Sequence, residues 1–153
     1  MAARRNLGII LHWTPIGMAT STSPDAPTAK TPFEMLGGLP VIQRIVDRFY
    51  DLMEQDPAYA ELRALHAPDL AAMRRSLAMF LMGWSGGPRD WWEENPGKCM
   101  MSAHRDVPID PATAEQWAEA MQRAIADCEI ENPQLGAQLA EVLSQLARGM
   151  GRS

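Results

Sequence analysis

The sequence predicts an all-α fold, and three observations carry that reading. Apolar residues recur at the 3.6-residue helical period in the long segments that follow residue 31. A capping residue followed by proline, the usual start of a helix, occurs at Thr31-Pro32, Asp56-Pro57, Asp110-Pro111 and Asn132-Pro133. No stretch shows the strict apolar–polar alternation of a half-buried strand.

In chain order, Thr31-Pro32-Phe33-Glu34 has the spacing of a capping box, and Gly37-Gly38 stops that short helix almost at once. A second helix is expected from near Pro40, with Val41, Ile42, Ile45, Val46, Phe49, Leu52 and Met53 on its apolar stripe. Tyr50 lies one step off that stripe, at its edge. A short helical stretch over 57–65 leads to His66. Leu70, Met73, Leu77, Phe80, Leu81 and Trp84 then repeat at helical spacing until Ser85-Gly86-Gly87-Pro88 breaks the chain. Residues 88–98 show no period, and Cys99 to His104 is at most a short helix ended before Pro108. Two longer helices close the chain. The first, over 111–129, points Ala114, Trp117, Met121, Ile125 and Cys128 inward; the second, over 133–148, does so with Leu135, Leu139, Val142, Leu143 and Leu146. The pattern gives about six helices in one domain over 31–150.

Composition narrows the function. The 153 residues are 46% hydrophobic and 22% charged, as in an ordinary soluble domain, and the unbroken apolar runs are too short to cross a membrane. A formal charge of −5, with Lys30 and Lys98 the only lysines, argues against nucleic acid, whose phosphates need a basic face. Cys99 and Cys128 are too few for a disulfide scaffold or a zinc site, and a reducing cytoplasm is the expected location. Residues 1–30 read as an N-terminal tail. Arg4-Arg5 and the apolar 7–11 stretch imitate a secretory leader, but His12 and Pro15 interrupt it, and the small, polar and proline-rich residues after Met18 cannot bury a core. Met18 is an alternative start, which makes 1–17 a misassigned segment.

His104 is the first candidate for chemistry. It follows Met100-Met101 and precedes the Pro108 turn, so short, constrained backbone holds its imidazole; read alone, such a histidine is as readily a capping or packing residue. Its setting changes that. In order, Leu36-Gly37-Gly38, Arg48-Phe49-Tyr50, Leu62-Arg63-Ala64-Leu65-His66, Phe80-Leu81, Trp84-Ser85-Gly86-Gly87-Pro88, His104 and Trp117 form a pattern that resembles the group II truncated haemoglobins, from about Phe33 to Ile125.

The resemblance implies a truncated globin, a two-over-two helical sandwich around haem b, iron protoporphyrin IX. It implies His104 as the iron's protein ligand, with Tyr50, Trp117 and His66 as distal hydrogen-bond donors to bound oxygen. Phe49, Met73, Leu77, Phe80, Leu81, Met100, Arg105, Val107 and Met121 are the expected haem-pocket residues, though each apolar one among them reads equally well as plain core. The chain departs from the pattern in two places. Met73, which cannot donate a hydrogen bond, stands where globins carry a distal histidine, and Ala103 stands where the family commonly has an arginine before the proximal histidine. Arg105, Lys98, Arg74 and Arg75 are the cations left to meet the haem propionates, and each is expected to be solvated. Of the paired Trp91 and Trp92, one is a candidate cover for the haem edge.

The implied function is reversible binding or transport of dioxygen, and of other diatomic ligands such as CO and NO. An alternative uses the same haem for nitric oxide dioxygenation or peroxidase-type turnover. That would need an external reductase, because the chain is too short to hold a flavin or nicotinamide domain. A third reading is a cofactor-free helical interaction module. A monomer or homodimer is expected.

Overall fold

The structure, a computed structural model, describes residues 30–151. The expected N-terminal tail, Lys30 apart, and the choice between Met1 and Met18 lie outside the described residues. All four expected starts form. Thr31 caps α1 (Pro32–Leu36) by accepting from the Glu34 N–H, while the Glu34 carboxylate accepts from the Thr31 N–H at 3.1 Å. Gly37, at φ 108°, takes the left-handed turn that ends α1 and lets α2 (Leu39–Gln55) begin two residues later. Asp56 caps a 3-10 turn at Pro57–Tyr59, which runs into α3 (Ala60–Ala64). After α4 (Ala71–Trp84), α5 (Asp90–Glu94) and α6 (Met100–Ala103), Asp110 opens α7 (Pro111–Asp127) with a reciprocal box to Thr113. Asn132 opens α8 (Pro133–Met150).

Helix α2 packs on α4 and on α7, and α7 runs along α8, so one pair, α2 and α4, is joined through α2 to a second pair, α7 and α8. This is the expected two-over-two arrangement. Ile42, Ile45, Val46, Phe49 and Met53 of α2 meet Ala78, Leu81 and Met82 of α4, Met121 and Ile125 of α7, and Leu135, Leu139 and Leu143 of α8 in one core. The small Ala118, Ala120 and Ala124 are wholly buried on α7, which lets neighbouring helices approach closely at those positions.

Two expectations are corrected. The described residues hold eight α-helices rather than about six, because residues 88–98 contain α5 and the stretch after Cys99 forms α6, while 57–65 divides into a 3-10 turn and α3. Five residues are too few to display a period, and tertiary contacts hold α5 in place. The Trp91 indole N–H donates to Ser76 Oγ at 3.1 Å, Trp91 meets the Phe80 ring edge-on, and Trp92 stacks on it, both at 5.3 Å. Gly83 makes room for this: a Cβ there would collide with the Trp92 ring.

Candidate functional site

The site is built around Phe49, which α2 buries completely. Tyr50 follows it, and although it stands at the edge of the apolar stripe it is only 2% exposed. The Tyr50 ring meets Phe49 edge-on at 4.9 Å and His66 at 5.9 Å; Trp117, from α7, meets the same Phe49 ring at 5.1 Å. Two donor-bearing rings therefore pack against one phenyl ring. Neither the Tyr50 hydroxyl nor the Trp117 indole N–H has a hydrogen-bond partner among the described residues. Buried donors are nearly always satisfied, so the Tyr50 hydroxyl calls for an explanation; Trp117 is half-buried. Burial pushes the Tyr50 phenol well above its ordinary value, against the smaller opposing pull of the Arg74 charge, so at neutral pH it is a neutral O–H donor.

His66 stands at the turn after α3, its Nδ1 2.9 Å from the Leu62 carbonyl. A carbonyl can only accept, so Nδ1 carries the hydrogen and Nε2 of the neutral ring keeps a lone pair. Burial lowers the pKa of His66, and the charges of Arg63 and His104 lower it further, so the ring is neutral at pH 7. In this tautomer Nε2 is an acceptor, whereas the resemblance implied an N–H donor.

His104 caps the C-terminus of α6, and its Nδ1 lies 2.7 Å from the Met100 carbonyl. The same reasoning puts the hydrogen on Nδ1 and a lone pair on Nε2, which is the tautomer a metal-ligating imidazole needs. An unusual capping box anchors this short helix: Cys99 Sγ accepts from the Ser102 N–H, and Ser102 Oγ accepts from the Cys99 N–H at 2.8 Å. Among the described residues no three His, Cys, Asp or Glu side chains gather to hold a metal. A single imidazole suits an iron whose other ligands come from a macrocycle.

Helix α4 supplies the apolar surface. Ala78, Leu81 and Met82 are buried in the core. Met73, Leu77, Phe80 and Trp84 fall on a second stripe: Met73 is 38% exposed, while the other three are half-buried and pack against the core. Met100 and Val107, on either side of His104, are half-buried too, and Arg105 is exposed. Of the other expected pocket residues, Phe49, Leu81 and Met121 sit in the core. The histidine tautomer, the buried Tyr50 hydroxyl and the partly exposed apolar stripe together fit a haem.

Arg74 and Arg75, expected as solvated cations, are both paired. Arg75 makes a bidentate bridge to Glu94 at 2.8 and 2.9 Å. Arg74 Nη1 donates to the Asp47 carbonyl and carboxylate, at 3.0 and 3.2 Å, and Nη2 to Asp51 and Glu54, at 2.8 and 3.2 Å. Asp47, Asp51 and Glu54 fall on one stripe of α2, turned toward α4, which is why Arg74 finds all three. Its guanidinium also lies 5.8 Å from the Tyr50 ring centroid. The reading of the sequence missed this cluster, and the acidic spacing on α2 was its only signal.

Comparison with known proteins agrees with this fold. The profile of the bacterial-like globin family matches residues 31–151. A group 1 truncated haemoglobin of Chlamydomonas moewusii is 29% identical over 137 residues, covering 88% of this chain and 75% of the relative. The cold-adapted truncated haemoglobin of the Antarctic marine bacterium Pseudoalteromonas haloplanktis is 33% identical, with a TM-score of 0.76 over 81% of this chain and 99% of its own. The group II 2-on-2 haemoglobin of Agrobacterium tumefaciens is 29% identical, with a TM-score of 0.77 over 83% of this chain and 98% of its own.

Proposed function

This chain belongs to the bacterial-like globin family, and from that premise we propose that it holds haem b through His104 and reversibly binds a diatomic gas, dioxygen first. The observation that carries the reading is the buried Tyr50 hydroxyl, without a partner among the described residues, on a Phe49 ring that the half-buried Trp117 also meets. When bound, haem supplies a ferrous iron with one position for a small ligand. His104 offers Nε2, oriented by its Nδ1–H bond to Met100. Met73, Leu77, Phe80, Met100 and Val107 offer apolar surface, and covering it stabilises a flat apolar ligand by about 25 cal/mol per Å². Tyr50 and Trp117 would donate hydrogen bonds to a gas held there and slow its departure. Because Met73 has no hydrogen to give, that task falls to them.

An absorption spectrum of the purified protein tests this: as isolated, reduced with dithionite, then exposed to carbon monoxide. The expected result is a Soret band that sharpens and shifts on carbon monoxide addition. No Soret band, even after stoichiometric haem is supplied, would refute the reading.

A further inference from the structure

We propose that Arg74 is a positioning residue for Tyr50: clamped by Asp47, Asp51 and Glu54, its guanidinium covers the buried phenol ring and fixes the direction in which the hydroxyl donates. The inference rests on the gas-binding reading above.

Arg74 is held from three directions, by two bonds to Asp47, one to Asp51 and one to Glu54, on successive turns of α2. Stability alone does not call for this arrangement. Partly exposed ion pairs contribute little, and three carboxylates around one cation repel one another. What the clamp does achieve is a fixed guanidinium, and the ring it is fixed over belongs to Tyr50. That ring is then bounded on three sides, by the edges of Phe49 and His66 and by a cation 5.8 Å from its centroid. A cation is attracted to the face of an aromatic ring and not to its edge, so Arg74 selects one ring orientation. With the ring set, the hydroxyl has one line along which to donate. The same charge counteracts the effect of burial on the phenol, which makes Tyr50 a stronger donor than burial alone would leave it. Arg74 also bonds across from α4 to α2, so the helix bearing the open apolar stripe and the helix bearing the donor keep one spacing.

A double-mutant cycle on the ferrous haem protein tests this, with wild type, R74M, Y50F and the double variant compared. Two readouts are used: the rate of oxygen release, and the C–O stretching band of the carbon monoxide complex, which reports the field at the ligand. R74M is expected to speed release by about threefold and to shift the band when Tyr50 is present, and to do neither in the Y50F background. R74K, which keeps the charge but loses the fork, is expected to recover part of both effects. Equal effects of R74M in both backgrounds, or none in either, would overturn the proposal. Should R74M fail to fold, the D51N/E54Q variant loosens the clamp from its outer side and is expected to act with the same sign. A wild-type protein without a haem band would refute the reading beneath the proposal, which keeps the two failures distinct.

Discussion

Tyr50→Phe separates a functional hydroxyl from a structural one, because the two roles predict opposite changes in stability. The substitution keeps the ring, so its contacts with Phe49 at 4.9 Å and His66 at 5.9 Å survive. What leaves is a hydroxyl that is 2% exposed at the residue level and has no partner among the described residues. An unsatisfied buried polar group costs about 1–3 kcal/mol, so the ligand-free protein is expected to be as stable as wild type or up to about 1 kcal/mol more stable. With gas bound, the variant lacks one donor to a partly negative atom. At about 1.4 kcal/mol for that bond, oxygen leaves about tenfold faster. Urea unfolding of the ligand-free protein reads the first quantity, and stopped-flow displacement of oxygen by carbon monoxide reads the second. A variant that is destabilised by more than about 1 kcal/mol, with unchanged release, would mean that the hydroxyl serves the core, and the distal assignment would fall.

Three further outcomes follow from the geometry. His104→Ala is expected to keep the helical fold and lose haem to an excess of a competing haem acceptor within the time wild type retains it; equal retention would give the axial role to another residue. Gly83→Ala drives a Cβ into the Trp92 ring and should cost about 1–3 kcal/mol in urea unfolding, with altered tryptophan fluorescence as Trp92 leaves Phe80; an unperturbed emission spectrum would contradict this packing. Acid should destabilise the protein in two stages. Burial holds the His66 pKa below its usual 6.5, so the unfolded state takes up a proton first as pH falls through 6.5, and stability declines from there to the folded-state value. Asp110 is held below 3.8 by the Thr113 N–H and hydroxyl, so its contribution is full above 3.8 and lost below it. His66→Gln should erase the upper stage alone in a melting-temperature profile against pH.

The parts of the fold that sequence reasoning reached are those written locally. A cap and the proline after it lie within four residues of each other, so all four helix starts were legible, including the reciprocal bonds of Thr31 with Glu34. Helix α5 was not, because contacts to Phe80 and Ser76 from earlier in the chain hold Trp91, and no window of sequence contains them. The same division runs through the site. The resemblance to a known family, rather than the residues read alone, is what singled out His104, Tyr50 and Trp117. The tautomers of His66 and His104 depend on carbonyls that the helical turns deliver, at Leu62 and Met100. The Arg74 cluster was half written: Asp47, Asp51 and Glu54 form a visible stripe, but acids on an amphipathic helix ordinarily face water, and only the approach of α4 gives this stripe a partner.

Helix α4 shows why the pocket walls could not be told from core by pattern alone. Met73, Leu77 and Phe80 recur at helical spacing whether they meet protein or a ligand, and periodicity reports only that something apolar lies opposite. Exposure decides between the two. Ala78, at 2%, and Leu81, at 4%, are closed over by protein, while Met73, on the other stripe, is 38% exposed. A helix that has already buried one face in the core and still carries a second apolar face has more apolar surface than the protein itself covers. That surplus lies on the helix from which Arg74 ties to α2 and reaches over the ring of Tyr50. The open stripe and the orphaned donor are thus held in one register, and this is why the two are best read as a single site.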